Sequence, residues 1–150
     1  VVNSEGKLYA WGNNGSGQLG LGDTTQRTSP VQVGTDTDWQ EAGVTAGGAS
    51  AIKTNGTLWT WGENSSGALG KGNTTTTNSP SQVGSDTDWF KLMHTGFNGD
   101  RLFVMNDAGE IYYSGTELNG LSRVSAFTQI GSEDGFTDAI LIGLGIVAYK

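Results

Sequence analysis

The chain has 150 residues, with 25 glycines, five tryptophans, two prolines and no cysteine, and it sets 15 Asp and Glu against 8 Lys and Arg for a net charge of −7. The missing cysteine excludes a disulfide framework and a thiolate metal site, and no run of about 18 apolar residues is present to form a membrane-spanning helix. The scattered, mainly acidic charge argues against nucleic-acid binding, which needs clustered cations to displace counterions from phosphates.

No segment sustains a 3.6-residue period, so short strands rather than helices are expected. The first fall at Leu8–Trp11, Val31–Val33 and Gln40–Val44. Ser50–Lys53 and Thr57–Trp61 come next, joined through Asn55-Gly56. That dipeptide predicts a type I′ hairpin turn, with positive φ at both central residues. Along Thr57–Trp61 the two-residue period puts Leu58 and Thr60 on one face, Trp59 and Trp61 on the other. A loop from Gly62 to Ser79 leads to Ser81–Val83, set off by Pro80, and then to Phe90–Met93. Leu102–Met105, Ile111–Ser114, Phe127–Ile130 and Ile140–Ile142 complete the set. Ala139–Tyr149 is the most apolar stretch, but it is short and interrupted by Gly143 and Gly145. No signal peptide is visible.

These strands belong to an internal repeat. Gly6-Lys7-Leu8-Tyr9-Ala10-Trp11-Gly12 returns fifty residues later as Gly56-Thr57-Leu58-Trp59-Thr60-Trp61-Gly62. The match continues through Gly17/Gly67, Leu19-Gly20/Leu69-Gly70, Ser29-Pro30/Ser79-Pro80 and Thr37-Asp38-Trp39/Thr87-Asp88-Trp89. A third copy opens at Gly109 and is worn: Ser114 replaces the tryptophan before Gly115, and Phe136 falls where Trp39 and Trp89 fall. A period of this length marks a repeat architecture. Repeats are expected at about 1–50, 51–103 and 104–150, cut in mid-repeat at both ends, within a single segment spanning 1–150. Small sheets with apolar groups on both faces are not stable alone. Stacking them around an axis buries both faces. The expected fold is therefore all-β, a partial β-propeller of about three four-stranded antiparallel blades. Trp11, Trp39, Trp61 and Trp89 are the wedges between neighbours.

Several motifs invite a chemical reading. Gly15-Ser16-Gly17-Gln18-Leu19-Gly20 is a literal G-x-G-x-x-G, yet the chain continues as loop beyond it, where a dinucleotide site needs a helix. Its glycines are read as turn formers. Asp36-Thr37-Asp38 and Asp86-Thr87-Asp88 lack the spacing of a calcium loop and are read as carboxylates that bond their own backbone amides. His94 is the single histidine and has no repeat equivalent. Asn14, Asn55, Asn64 and Asn73 open formal glycosylation sequons, read as coincidence in so polar a chain. No catalytic set, metal site or cofactor site emerges.

The stretch Leu8-Tyr9-Ala10-Trp11-Gly12-Asn13-Asn14-Gly15-Ser16-Gly17-Gln18-Leu19-Gly20-Leu21-Gly22 resembles the repeat signature of the regulator of chromosome condensation family. Leu58 to Gly72 carries it again, with Ala68 for the usual Gln. The signature residues in this chain are Trp11, Gly12, Gly17, Leu19, Gly20 and Trp39, then Trp61, Gly62, Gly67, Leu69, Gly70 and Trp89, with Gly115 and Phe136 in the third copy. The resemblance implies a seven-bladed ring of four-stranded blades, completed by flanking blades or by other copies of the chain. The long Ser/Thr/Gly loops and acidic charge look most like the prokaryotic and bacteriophage branch. There the resemblance implies a non-catalytic structural or binding module of a virion (tail, fibre or decoration protein) or a cell-surface assembly. Such a module works through protein partners, with no nucleic acid and no membrane insertion. Gln26, Arg27, Thr75, Thr76 and Asn78 are the candidate partner contacts. The alternatives are an exchange factor for a small GTPase, as in the family's founding member, and a secreted protein inhibitor of an enzyme.

Overall fold

The computed structural model describes residues 1–44, 47–93, 101–116, 122–130, 138–142 and 145–149. Among these every regular element is a strand. In chain order they are β1 (Tyr9–Gly12), β2 (Arg27–Gln32), β3 (Trp39–Val44), β4 (Gly48–Lys53), β5 (Leu58–Gly62) and β6 (Thr77–Gln82). Then come β7 (Trp89–Met93), β8 (Arg101–Asn106), β9 (Ile111–Thr116), β10 (Arg123–Gln129), β11 (Asp138–Ile142) and β12 (Gly145–Tyr149). Two complete four-stranded antiparallel meanders result among the described residues, β3-β4-β5-β6 and β7-β8-β9-β10, accompanied by the pairs β1-β2 and β11-β12. Within the apolar Ala139–Tyr149 stretch, residues 139–142 and 145–149 pair antiparallel, and no described helix is long and apolar enough to cross a membrane. The sheets are out of phase with the sequence repeat: the first complete one runs from Trp39 to Gln82.

Burial follows from stacking. All six residues of β4 are buried, because a sheet lies against each of its faces. Ala49 and Ala51 join Leu8, Val33, Trp39 and Trp61 in one core. Ile52, on the opposite face, joins Leu58, Val83, Trp89, Leu92 and Val104 in the next. Met93, Phe103, Met105 and Ile111 form a third. The small residues Gly48-Ala49-Ser50-Ala51 let neighbouring sheets approach closely around the bulky indoles.

Three details differ from the sequence expectations. The β4–β5 turn is not type I′, since no described residue other than glycine has positive φ. Instead Gly56 N–H donates to Lys53 O (2.9 Å) and Gly56 alone takes φ +76°. This is a type I turn closed by a left-handed glycine. Asn3–Gly6 and Asn106–Gly109 repeat it. Second, Pro80 lies inside β6 rather than before it, as Pro30 lies inside β2. Both strands are sheet edges, where the missing N–H of proline is tolerated. Third, Trp11 is not a buried wedge. It is 47% exposed, whereas Trp39, Trp61 and Trp89 are buried. Each of those three has a neighbouring sheet or loop against it, and among the described residues no loop covers Trp11.

Candidate binding surface

The glycine-rich loops are clamps between sheets. Asn64 is fully buried, and its side-chain amide donates to Asn73 O (3.0 Å) and Thr75 O (3.2 Å) while its Oδ1 accepts from Leu69 N–H (2.9 Å). Asn14 does the same with Asp23 O, Thr25 O and Leu19 N–H. The sequence alone marks both as sequon residues and as part of the recurring repeat signature, and gives neither a buried role. The folded chain has no room for a glycan on either, and two loop carbonyls and a leucine N–H depend on each. Their recurrence at one spacing from Leu19 and Leu69 was the available signal. No helix comes after the G-x-G-x-x-G run; Gly17 N–H donates to Asn14 O and Gly20 N–H to Gly17 O.

Each clamp grips the next sheet. Trp61 Nε1–H donates to Gln18 O (2.9 Å), and its indole lies so close over Gly20 that a Cβ there would fall 2.7 Å from Nε1. Gly22 N–H donates to Asn78 O (2.9 Å). One sheet on, Gly72 N–H donates to Ser125 O, Ser114 Oγ–H donates to Ala68 O (2.7 Å), and Phe127 covers Gly70. Lys71, beside this clamp, donates to Thr60 O (2.8 Å), Thr77 Oγ1 and Ser81 Oγ. Burial lowers its pKa to about 8.

The predicted contact residues separate into two groups. Gln26, Thr75 and Thr76 are exposed at the loop tips. Arg27 is half-buried in β2, paired with Asp23 at 2.6 Å. Hydrogen bonding to Arg27, and then to Thr25 N–H, holds the Asp23 carboxyl below its ordinary range. Asn78 lies within β6 and packs against Gly17, so it belongs to the clamp. Phe136 and His94 lie outside the described residues.

The Asp-Thr-Asp-Trp segments stitch one hairpin to the next. Trp39 N–H donates to Gly6 O, and Thr54 N–H to Asp38 O (2.8 Å); Trp89 N–H and Gly56 O, Asp107 N–H and Asp88 O repeat the pair. The expectation that these carboxylates bond their own amides is not met. Asp36 and Asp38 instead hold Lys53 Nζ at 2.7 and 3.0 Å. The ammonium also sits 4.7 Å from the Trp39 ring centroid and 4.8 Å from that of Trp59, a cation–π arrangement. Burial works against the charged Lys53, but the hydrogen bonds and charges of Asp36 and Asp38 outweigh it and raise its pKa.

The corresponding place in the next sheet is a cleft of about 290 Å³ bordered by Asp86, Asp88, Trp89, Glu110, Tyr112 and Phe127. Glu110 Oε2 accepts from Asn106 Nδ2 (2.7 Å) and Tyr112 OH (2.9 Å), and Oε1 accepts from Gln129 Nε2. These bonds, that of Asn106 foremost, hold the Glu110 carboxyl below its ordinary value. Burial first, then Glu110 and the charges of Asp88 and Asp86, raises the Tyr112 phenol. Among the described residues no group of three or more His, Asp or Glu side chains is arranged to hold a metal ion.

Solved structures share this architecture. Human WBSCR16 superposes with a TM-score of 0.73 at 21% identity, covering 87% of this chain and 34% of that one. Prp20p from Saccharomyces cerevisiae, described with its binding properties to Gsp1p and histones, gives 0.71 at 16% identity, covering 84% and 34%. Yeast RCC1 (Prp20), solved with Kap60 bound to it, gives 0.70 at 17% identity, covering 90% and 36%. The chain thus spans about a third of the length of each. No curated protein matches it in sequence. The profile of the Regulator of chromosome condensation (RCC1) repeat matches residues 5–50 and 55–96, more than half of the chain and the same stretches that build the clamps. With its repeated clamps and its antiparallel four-stranded sheets, the chain belongs to the RCC1 repeat family.

Proposed function

We propose that this chain is a non-catalytic protein-binding segment of a β-propeller, acting through the loop tips that its clamps hold in place. One observation carries the reading. The loops are pinned from within by buried Asn14 and Asn64, while 24–26 and 74–76 remain exposed as a polar rim. Binding function concentrates on loops fixed by a rigid scaffold. The partners are proteins, including flanking blades or further copies of the chain in a seven-bladed ring. Exposed Trp11 supports that part, because its counterpart Trp61 is covered by a glycine loop. The acidic charge and Ser/Thr-rich rim favour a virion or surface assembly as the setting.

The test places a photo-crosslinking residue at Thr76 or Gln26, with a control at Ser4, in the intact source assembly. A cross-link to one defined protein from the rim positions alone, together with peptides of the chain in purified particles, is expected. Labelling no greater at the rim than at Ser4 overturns the reading. A second reading, exchange factor for a small GTPase, draws on the likeness to Prp20p. Acceleration of nucleotide release from a GTPase would favour it over the first.

A further inference from the structure

Among the described residues one box holds a lysine ammonium and its repeat equivalent holds none. In β3–β6 the box consists of Asp36, Asp38, Trp39 and Trp59, and its occupant is the ammonium of Lys53. In β7–β10 the same repeat positions hold Asp86, Asp88, Trp89 and Tyr112. The aromatic walls agree: Trp39 and Trp59 meet edge-on at 5.8 Å and 81°, Trp89 and Tyr112 at 5.2 Å and 85°. The registers agree as well, Lys53 lying opposite Trp39 and Asn106 opposite Trp89. What differs is the occupant. Asn106 is too short to reach across and is turned toward the hairpin, where Oδ1 accepts from Glu110 N–H (2.8 Å) and Nδ2 donates to Glu110 Oε2. The first box also borders a cavity, of about 470 Å³ beside Asp36, Trp39 and Trp59, but it carries its own ammonium; the second, the cleft bordered by Asp86 and Asp88, has no lysine or arginine among the described residues of its walls. It has gained a third carboxylate, Glu110, which stands where the first box has Thr57, and a third aromatic wall, Phe127.

We propose that this cleft binds a primary alkylammonium group from outside the sheet, in the position that Lys53 Nζ takes in the first box. The carboxylates supply charge and hydrogen-bond acceptors, and the aromatic faces supply the cation–π surface. The group comes from a lysine side chain of a partner protein; that source, and not the site itself, rests on the protein-binding function proposed above.

The test is an NMR titration of the full chain with n-butylammonium and, separately, with Nα-acetyl-lysine methylamide and a lysine-bearing peptide. Saturable shifts at the Trp89 indole N–H, the Tyr112 ring and the Gln129 side-chain amide are expected. Asp88→Asn weakens binding by roughly tenfold, the effect of losing one charge-assisted contact. Asn106→Lys fills the box from within and abolishes the shifts, while Asp86→Asn, an exposed change that leaves the fold intact, weakens them. Absence of saturable shifts in the wild-type chain, or shifts that survive unchanged in Asn106→Lys, overturns the proposal. Binding of butylammonium without binding of the lysine compounds keeps the site and removes the protein source.

Discussion

Ser114 makes with Ala68 the hydrogen bond that Trp61 makes with Gln18. In each case a residue at the same place in the repeat donates to the carbonyl of the preceding glycine loop, at 2.7 and 2.9 Å. The serine is too small to cover the loop glycine, and Phe127, from the following strand, covers Gly70 in place of an indole. The worn third copy has divided one tryptophan's two roles between two residues.

The two tryptophans at this repeat position should therefore differ sharply on truncation. Trp61→Ala is expected to destabilise by about 3–5 kcal/mol, the range for a buried aromatic. Trp11→Ala, at a position 47% exposed, should fall within about 1 kcal/mol. Urea unfolding of both variants checks the contrast.

Ser114→Ala should lower stability by about 1 kcal/mol, the net worth of one hydrogen bond. Ser114→Trp should lower it further, because Phe127 already occupies the space over Gly70. Equal effects of the two substitutions would contradict the division of roles.

Asn64→Ala removes the partners of two loop carbonyls and of Leu69 N–H from a fully buried position. A loss on the order of 3 kcal/mol is expected if the freed groups stay buried. Hydrogen exchange should then quicken at Leu69 and Gly70 before it does in β4.

Gly56→Ala should be among the most damaging single-atom additions. Its Cβ would lie 2.0 Å from Thr87 O, a backbone atom of the stitch to the next sheet, at φ +76°. The left-handed conformation alone costs about 1–2 kcal/mol, and the displaced stitch adds to it. Loss of the Trp89 N–H to Gly56 O bond, seen as faster exchange at Trp89, is the readout.

Lys71 gives a pH signature. Its folded pKa, about 8, lies below the ordinary 10.5, so between these values the unfolded chain binds more protons than the folded one. The penalty for burying the ammonium is fully present below about pH 8 and is relieved as pH rises toward 10.5. Lys71→Leu, which copies Leu21 of the first repeat, should be more stable than wild type at pH 7. The gap should narrow by pH 10, measured as the difference in urea-unfolding free energy.

The strands and three of the four expected wedges, Trp39, Trp61 and Trp89, were legible because they rest on periodicity: Leu58 and Trp61 face opposite cores as the two-residue alternation requires. The family was legible from the phase of Trp11-Gly12 and Leu19-Gly20. Asn14 and Asn64 do not announce themselves as core residues, since a buried amide is recognised only by the carbonyls that converge on it. The Lys53 box was equally hidden, because its members come from separate strands and one loop, and only the β3–β4 and β4–β5 registers bring them together. The turn at Gly56 depended on the φ of Asn55, which the Asn-Gly dipeptide alone does not determine.

The offset between sheet and sequence unit governs how such arrays change length. The family unit at 55–96 supplies the last two strands of one sheet, β5 and β6, and the first strand of the next, β7. Gain or loss of a whole unit by recombination leaves every remaining half-sheet beside a complementary half, so no ladder is newly bared. A protease nick at Thr54 would instead fall inside a sheet, and its two pieces would stay zipped together along β4 and β5.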